Sequence, residues 1–323
     1  MQEFHGEAGT AHVGVTPAAK FSDPAVTLDG MARARVTLGG LETLWVNTGT
    51  LCNIECAHCY IESSPNNDRL AYFKRSDLAV YLDEIARDGL GTKEIGFTGG
   101  EPFMNPELPA MLGDVLSRGF RALILTNAMK PLHHKKSVLL ELRQKYGEAL
   151  QIRVSLDHYT RARHEAERGA DTWEPTLSGI KWLWEEGFDL AIAGRTMWGE
   201  DVQALRSGYH ELFQQQGIGI DSDDPERLVL FPEMNTAIDV PEITENCWGV
   251  LGIDPRDLMC ATSRMVVLRK GATSPRVLSC TLIAHDSRFE LGDSLTHSDQ
   301  SISLNHHHCA KFCVLGGGSC TVG

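Results

Sequence analysis

The sequence predicts an α/β architecture: an open barrel of six βα units followed by a small cysteine-rich domain. Three observations predict it. From residue 41 to 235, short apolar runs alternate with segments of helical period, the pattern of parallel strands joined by crossover helices. Six such units fall short of the eight that close a full barrel. Beyond residue 235 the alternation gives way to loops that carry Cys247, Cys260, Cys280, Cys309, Cys313 and Cys320.

The first strand reads ETLWVNT over 42–48. After a cysteine-bearing loop comes a helix over 76–88, with Leu78, Tyr81, Leu82 and Ile85 on one face and Gly89 as its stop. EIGFT over 94–98 is the second strand. Asn105 and Pro106 then offer a cap and a first helical residue, and Leu108, Met111, Leu112, Val115 and Leu116 follow at helical spacing. RALILT (121–126) and QIRVSL (151–156) bracket a third helix over 132–146, and a fourth over 175–186 aligns Leu177, Ile180, Leu183 and Trp184. DLAIAG (189–194), a helix over 201–216 and RLVLF (227–231) complete the series. A hairpin-like pair, 264–271 and 276–283, turns at Gly271. Residues 1–40 lack any period, so the chain divides into an N-terminal arm or cap (1–40), the barrel (41–235) and the cysteine-rich domain (236–323).

With 323 residues, 42% hydrophobic and 23% charged, the chain can bury a sizeable core. No run approaches the ~18 consecutive apolar residues of a bilayer-spanning helix. The start MQEFHGEAGT has neither a basic stretch nor an apolar h-region, so a soluble cytoplasmic protein without a membrane partner is expected. A net charge of -13 repels phosphate backbones, and nucleic acid is not an expected partner. Nine cysteines, an odd count, point to metal or redox chemistry rather than a disulfide framework.

LCNIECAHCY (51–60) places Cys52, Cys56 and Cys59 directly after the first strand, at the strand end where parallel barrels carry their active sites. The next cysteine is Cys247, so this loop does not supply the four ligands of a structural zinc. A [4Fe-4S] cluster on three cysteines leaves one iron for an outside ligand. Together with GFTGGEP (96–102) and VSLDHYTRARHEAERG (154–169), this loop resembles the radical S-adenosylmethionine (radical SAM) enzymes, in particular the branch with C-terminal auxiliary clusters. The likeness spans residues 42–235.

That resemblance implies a partial TIM-like barrel in which Cys52, Cys56 and Cys59 hold the cluster and S-adenosylmethionine (SAM) chelates its open iron. It implies reductive cleavage of SAM to a 5'-deoxyadenosyl radical that takes a hydrogen atom from substrate, fed by an electron donor such as flavodoxin or ferredoxin. His58 is expected at the adenine through its backbone, Tyr60 beside adenine or cluster, and Thr98, Gly99, Gly100 and Glu101 at the SAM amino group. Asn127, Ser155, Asp157 and Arg195 close their strands at the same rim. By resemblance Ser155 and Asp157 meet the ribose or carboxylate, and the Arg195 fork suits a carboxylate. A network of loop ion pairs among Asp157, Arg161, Arg163, Glu165 and Arg168 is the other reading.

In the tail, Cys260 and Cys280 stand at the ends of the hairpin, and HCAKFCVLGGGSC (308–320) adds Cys309, Cys313 and Cys320. This resembles the shortened auxiliary-cluster (twitch) module, although the Cys-x3-Cys-x6-Cys spacing departs from the longer SPASM pattern. One auxiliary [4Fe-4S] cluster is expected on Cys260, Cys280, Cys309 and Cys313, with Cys320 as a replacement for one of the last two. Structural zinc is the other occupant such thiolates accept. Cys247 reads as a buried thiol, and NHHHC (305–309) as a solvated loop. The substrate is expected to be a small molecule or short peptide, modified by oxidation, crosslinking or epimerisation. The rival reading is a non-catalytic iron-sulfur or zinc scaffold.

Overall fold

The structure, a computed structural model, describes residues 19–319. Cys320 and residues 1–18 of the expected arm lie outside the described residues. After a two-residue strand β1 (Arg35–Val36) come six parallel strands: β2 (Thr43–Asn47), β3 (Glu94–Thr98), β4 (Arg121–Thr126), β5 (Leu150–Ser155), β6 (Asp189–Arg195) and β7 (Leu228–Phe231). They lie side by side in chain order. All six begin and end within two residues of the apolar runs that predicted them, because each run is sealed by a turn signal on both sides.

The helices between them are α1 (Arg75–Asp88), α2 (Leu108–Ser117), α3 (Lys130–His133), α4 (Lys136–Tyr146), α5 (Arg161–Arg168), α6 (Trp173–Glu185) and α7 (Val202–Gln216). Two departures stand out. The single helix expected over 132–146 is two, since Leu132 and Leu139 anchor separate segments on either side of His134 and Lys135. Helix α5 has no apolar stripe to announce it; its buried side chains are His164 and Glu167. Asn105 precedes α2 by three residues. Its Nδ2 donates to the carbonyls of Thr48 (3.1 Å) and Phe73 (2.9 Å), bracing the base of the cysteine loop.

Alternate strand residues face opposite sides. Leu44, Val46, Ile95, Phe97, Ile124, Ile152 and Val154 pack under the helices, whereas Trp45, Leu123 and Met265 join a second core shared with the C-terminal segment. That segment extends the same sheet. Strand β8 (Ser263–Val267) runs parallel to β2 on its other edge, and β9 (Arg276–Leu278) turns back antiparallel to β8, forming the expected hairpin. A short helix α8 (Cys247–Leu251) precedes the hairpin, and β10 (Ile302–Ser303) pairs with β1. Residues 19–40 lie against this last quarter, with buried Arg33 bonded to Glu242 and to the carbonyls of Asp23 and Val26. Among the described residues no helix is long and apolar enough to cross a membrane.

Trp45 fills the space above Gly96: a Cβ there would stand 2.4 Å from the indole Cε3. Gly96→Val therefore overpacks the barrel interior and is expected to lower stability by about 3 kcal/mol, read as the midpoint of denaturant unfolding. An unchanged midpoint would mean that Trp45 does not occupy this position.

Candidate active site

The register of β2 with β3 aligns Asn47 with Thr98, so the loops leaving their C-terminal ends meet side by side. The Gly100 amide donates to the Gly49 carbonyl (2.8 Å) and the Glu101 amide to that of Leu51 (3.1 Å). A Cβ on Gly99 would stand 2.6 Å from the Gly49 oxygen, and one on Gly100 2.2 Å from the Leu51 oxygen. The two glycines thus admit the cysteine loop's own backbone, a use that precedes any approach to a ligand.

The other flank of that loop is held by the end of α5. The Ala57 amide donates to the Glu167 carbonyl (2.8 Å) and the His58 amide to the Glu167 carboxylate (3.0 Å). The same carboxylate bonds the His58 ring (Nδ1 to Oε2, 2.7 Å) and the Arg195 guanidinium (2.8 Å). Arg195 also donates to the His58 carbonyl at 3.2 Å. Glu167 is the functional residue that sequence reading missed. Its signal was present as Glu167-Arg168 within the quoted 154–169 motif, but the pattern of charges did not tell which one turns inward.

One cavity collects the candidate residues. Cys52, Cys56, His58, Cys59, Tyr60, Thr98, Gly99, Gly100, Asn127, Ser155, Asp157 and Arg195 all line it, with Glu167, Arg168, Phe231 and Met234. Glu101 does not. Its buried carboxylate accepts from Thr126 Oγ1 (2.8 Å), the Asn127 amide (2.8 Å) and the Phe103 amide (3.1 Å), capping a short turn and tying the ends of β3 and β4 together. Burial pushes this carboxyl up to about 7, against the pull of those donors.

Asp157 and Arg168 form a two-bonded ion pair, Nε to Oδ2 at 2.7 Å and Nη2 to Oδ1 at 3.2 Å. Burial works to raise the Asp157 carboxyl, but the Arg168 and Arg195 charges and the Arg168 hydrogen bonds hold it below its ordinary value. Of the network read from sequence, this pair is present, while Arg161 pairs with Glu174 and Arg163 with Glu200. Burial lifts the Cys52 thiol to about 12 and raises that of Cys56, with Arg168 the main charge opposing the rise at Cys56. Three thiols that share a cavity with a partly buried cation suit a bound group that takes them as thiolates. Among the described residues no set of three or more His, Cys, Asp or Glu side chains converges on one point to hold a single metal ion. Three thiols spread around a shared cavity suit a polynuclear cluster, whose ligands stand apart.

The tail cysteines also meet. Cys260, Cys280, Cys309 and Cys313 line a second, apolar pocket with Leu258, Met259, Leu282 and His308. Cys309 and Cys313 share one wide π-helical turn, Cys309–Val314. Burial raises Cys260 to about 11 and Cys309 to about 12. Cys247 lies apart from them, its Sγ accepting from the Thr244 amide at 3.4 Å. The histidine tract is not solvated: Asn305 and His308 are buried and His306 is half-buried, and burial drops both imidazoles to about 4. The pairing of β10 with β1 draws this segment inward, which residue type alone does not reveal. A chamber of about 370 Å³ joins the two cysteine sites, sharing His58, Cys59, Tyr60 and Met234 with the first and Leu282, Ile283 and His308 with the second.

A partial parallel barrel thus carries three thiols at its C-terminal rim. Residues 46–201, just under half of the chain, match the radical SAM superfamily and form a radical SAM domain. Over 143 residues it is 33% identical to the antilisterial bacteriocin subtilosin biosynthesis protein AlbA of Bacillus subtilis, covering 44% of this chain and 30% of AlbA. It is 26% identical over 141 residues to the Fe-coproporphyrin III synthase of Methanosarcina barkeri, covering 44% of this chain and 33% of that enzyme. The matches thus span about a third of these curated relatives. Among solved structures, Streptococcus suis SuiB bound to S-adenosylmethionine superposes with TM-score 0.55 at 14% identity, over 78% of this chain and 63% of SuiB. Native anSMEcpe with bound AdoMet gives 0.57 at 13%, over 83% and 82%. At such identities the likeness is one of fold.

Glu167→Ala removes the partner of Arg195 and the acceptor of the His58 amide. It is expected to cost about 3 kcal/mol, read by denaturant unfolding; a loss under about 0.5 kcal/mol, the size of an ordinary surface substitution, would remove Glu167 as the strut of the loop.

Proposed function

We propose that this chain is a radical SAM enzyme that cleaves SAM reductively at a [4Fe-4S] cluster on Cys52, Cys56 and Cys59 and abstracts a hydrogen atom from a short peptide or small molecule. The observation that carries this reading is a single cavity lined by those three thiols, the Thr98–Gly100 turn and the rim residues Asn127, Ser155 and Asp157. No other described cysteine lines it. The bound cluster would supply the electron that opens the S–C5' bond of SAM.

Every other contribution is the chain's own. Gly99 and Gly100 seat the loop, and Glu167 and Arg195 fix its far side. Arg168 supplies positive charge to the thiolates, with Asp157 holding its guanidinium flat by two bonds. Asn127, whose Nδ2 bonds Asn53 Oδ1 at 2.9 Å, Ser155 and the backbone at Thr98 present polar groups to SAM. His58 and Tyr60 stand between this cavity and the chamber. Cys260, Cys280, Cys309 and Cys313 are assigned to one auxiliary cluster on the chamber's other side, and the substrate to the chamber between. A peptide substrate draws support from AlbA, named for biosynthesis of a bacteriocin, and from SuiB, solved with precursor peptide SuiA.

After anaerobic reconstitution, dithionite and SAM are expected to yield 5'-deoxyadenosine, and Cys56→Ala to abolish it. Wild-type protein with an intact cluster that neither binds nor cleaves SAM would favour a metal-carrying scaffold.

A further inference from the structure

Arg264, on β8, is 1% exposed. Its Nε donates to the Ser298 carbonyl (2.9 Å) and its Nη1 to the carbonyls of Cys260 (2.7 Å) and Ser263 (2.8 Å). All three acceptors are neutral, and Nη2 is buried with no partner. Among the described residues no carboxylate forms an ion pair with it. Asp299 contributes at longer range and is exposed. An arginine guanidinium keeps its charge at neutral pH. A buried cation without a counter-charge is costly, and this one lies beside Cys260, whose thiol is the leading negative influence on it.

A second orphan belongs to the lining of the tail pocket. His308 is 7% exposed and lines the pocket of the four tail cysteines, and its Nδ1 is buried with no partner. An unmatched cation bonded to the Cys260 carbonyl and an unmatched imidazole nitrogen in the lining of the four-thiol pocket thus flank the same site. A cluster core on four thiolates is a net anion whose charge grows by one on reduction, and nearby cations and N–H donors favour that reduced form.

We propose that Arg264 and His308 form the polar shell of the tail cysteine site, balancing the charge of a cluster held by Cys260, Cys280, Cys309 and Cys313 and raising its reduction potential. This inference rests on the reading that those four thiols carry a cluster. Both residues act as positioning and tuning groups, with Arg264 the charge and His308 the hydrogen-bond donor.

The test uses the full chain with Cys52, Cys56 and Cys59 all changed to Ala, so that only the tail site loads. Iron and sulfide are counted after anaerobic reconstitution, and the one-electron midpoint is measured by electron paramagnetic resonance during titration with dithionite. In that background Arg264→Met is expected to shift the reduction equilibrium about tenfold toward the oxidised form, ~59 mV for one electron. Arg264→Lys, which keeps the charge, should shift it less, and His308→Leu several-fold in the same direction. If Arg264→Met does not fold, His308→Leu and Arg264→Lys decide. A chain that loads about four irons and keeps its midpoint in every folded variant overturns this assignment while leaving the cluster reading intact. A background chain that binds no iron overturns the cluster reading itself, and the polar shell with it.

Discussion

The cysteine loop is gripped from both sides by backbone, and the site depends on that grip. On one side the carbonyls of Gly49 and Leu51 occupy the places where side chains of residues 99 and 100 would stand. On the other, Glu167 accepts from the Ala57 amide through its carbonyl and from the His58 amide through its carboxylate. Between these clamps the loop that bears Cys52, Cys56 and Cys59 is held in place, with all three thiols lining one cavity. The turn that resembles a SAM-binding motif is therefore also the loop's foundation, and any side chain at Gly100 would dislodge the cysteines before it touched a ligand.

Charge follows the same layout. Arg168 reaches toward Cys52 and Cys56 from inside, anchored by Asp157, and Arg264 sits beneath Cys260. Each cysteine site thus has an arginine near at least one of its thiols, an arrangement that favours thiolates on binding. Strand β8 fixes the distance between the sites, because it continues the barrel sheet from the edge of β2. The chamber between them is lined by loop residues around 58–62, 234–236 and 282–286.

Much of this was legible in the sequence. The six parallel strands were marked by apolar runs between turn signals, and the cysteines, rim residues and four tail thiols fell where strand ends and the hairpin placed them. What stayed hidden required tertiary partners. Helix α5 is charged along its length, and only packing against the cysteine loop singles out Glu167 and Arg168 from their neighbours. Glu101 looked like a ligand residue through the resemblance carried by GFTGGEP, whereas its carboxylate accepts from residues 103, 126 and 127, which are remote or unremarkable in sequence. His308 looked solvated because polar tracts usually are, and its burial follows from the β1–β10 pairing.

In the proposed function the loop leaves one iron of its cluster open to SAM. Mössbauer spectra of protein reconstituted with ⁵⁷Fe, with Cys260 and Cys280 changed to Ala to silence the tail, test it most directly. One iron of the four should differ from the rest and change its signal when SAM is added. Four equivalent irons, unaltered by SAM, would contradict the account.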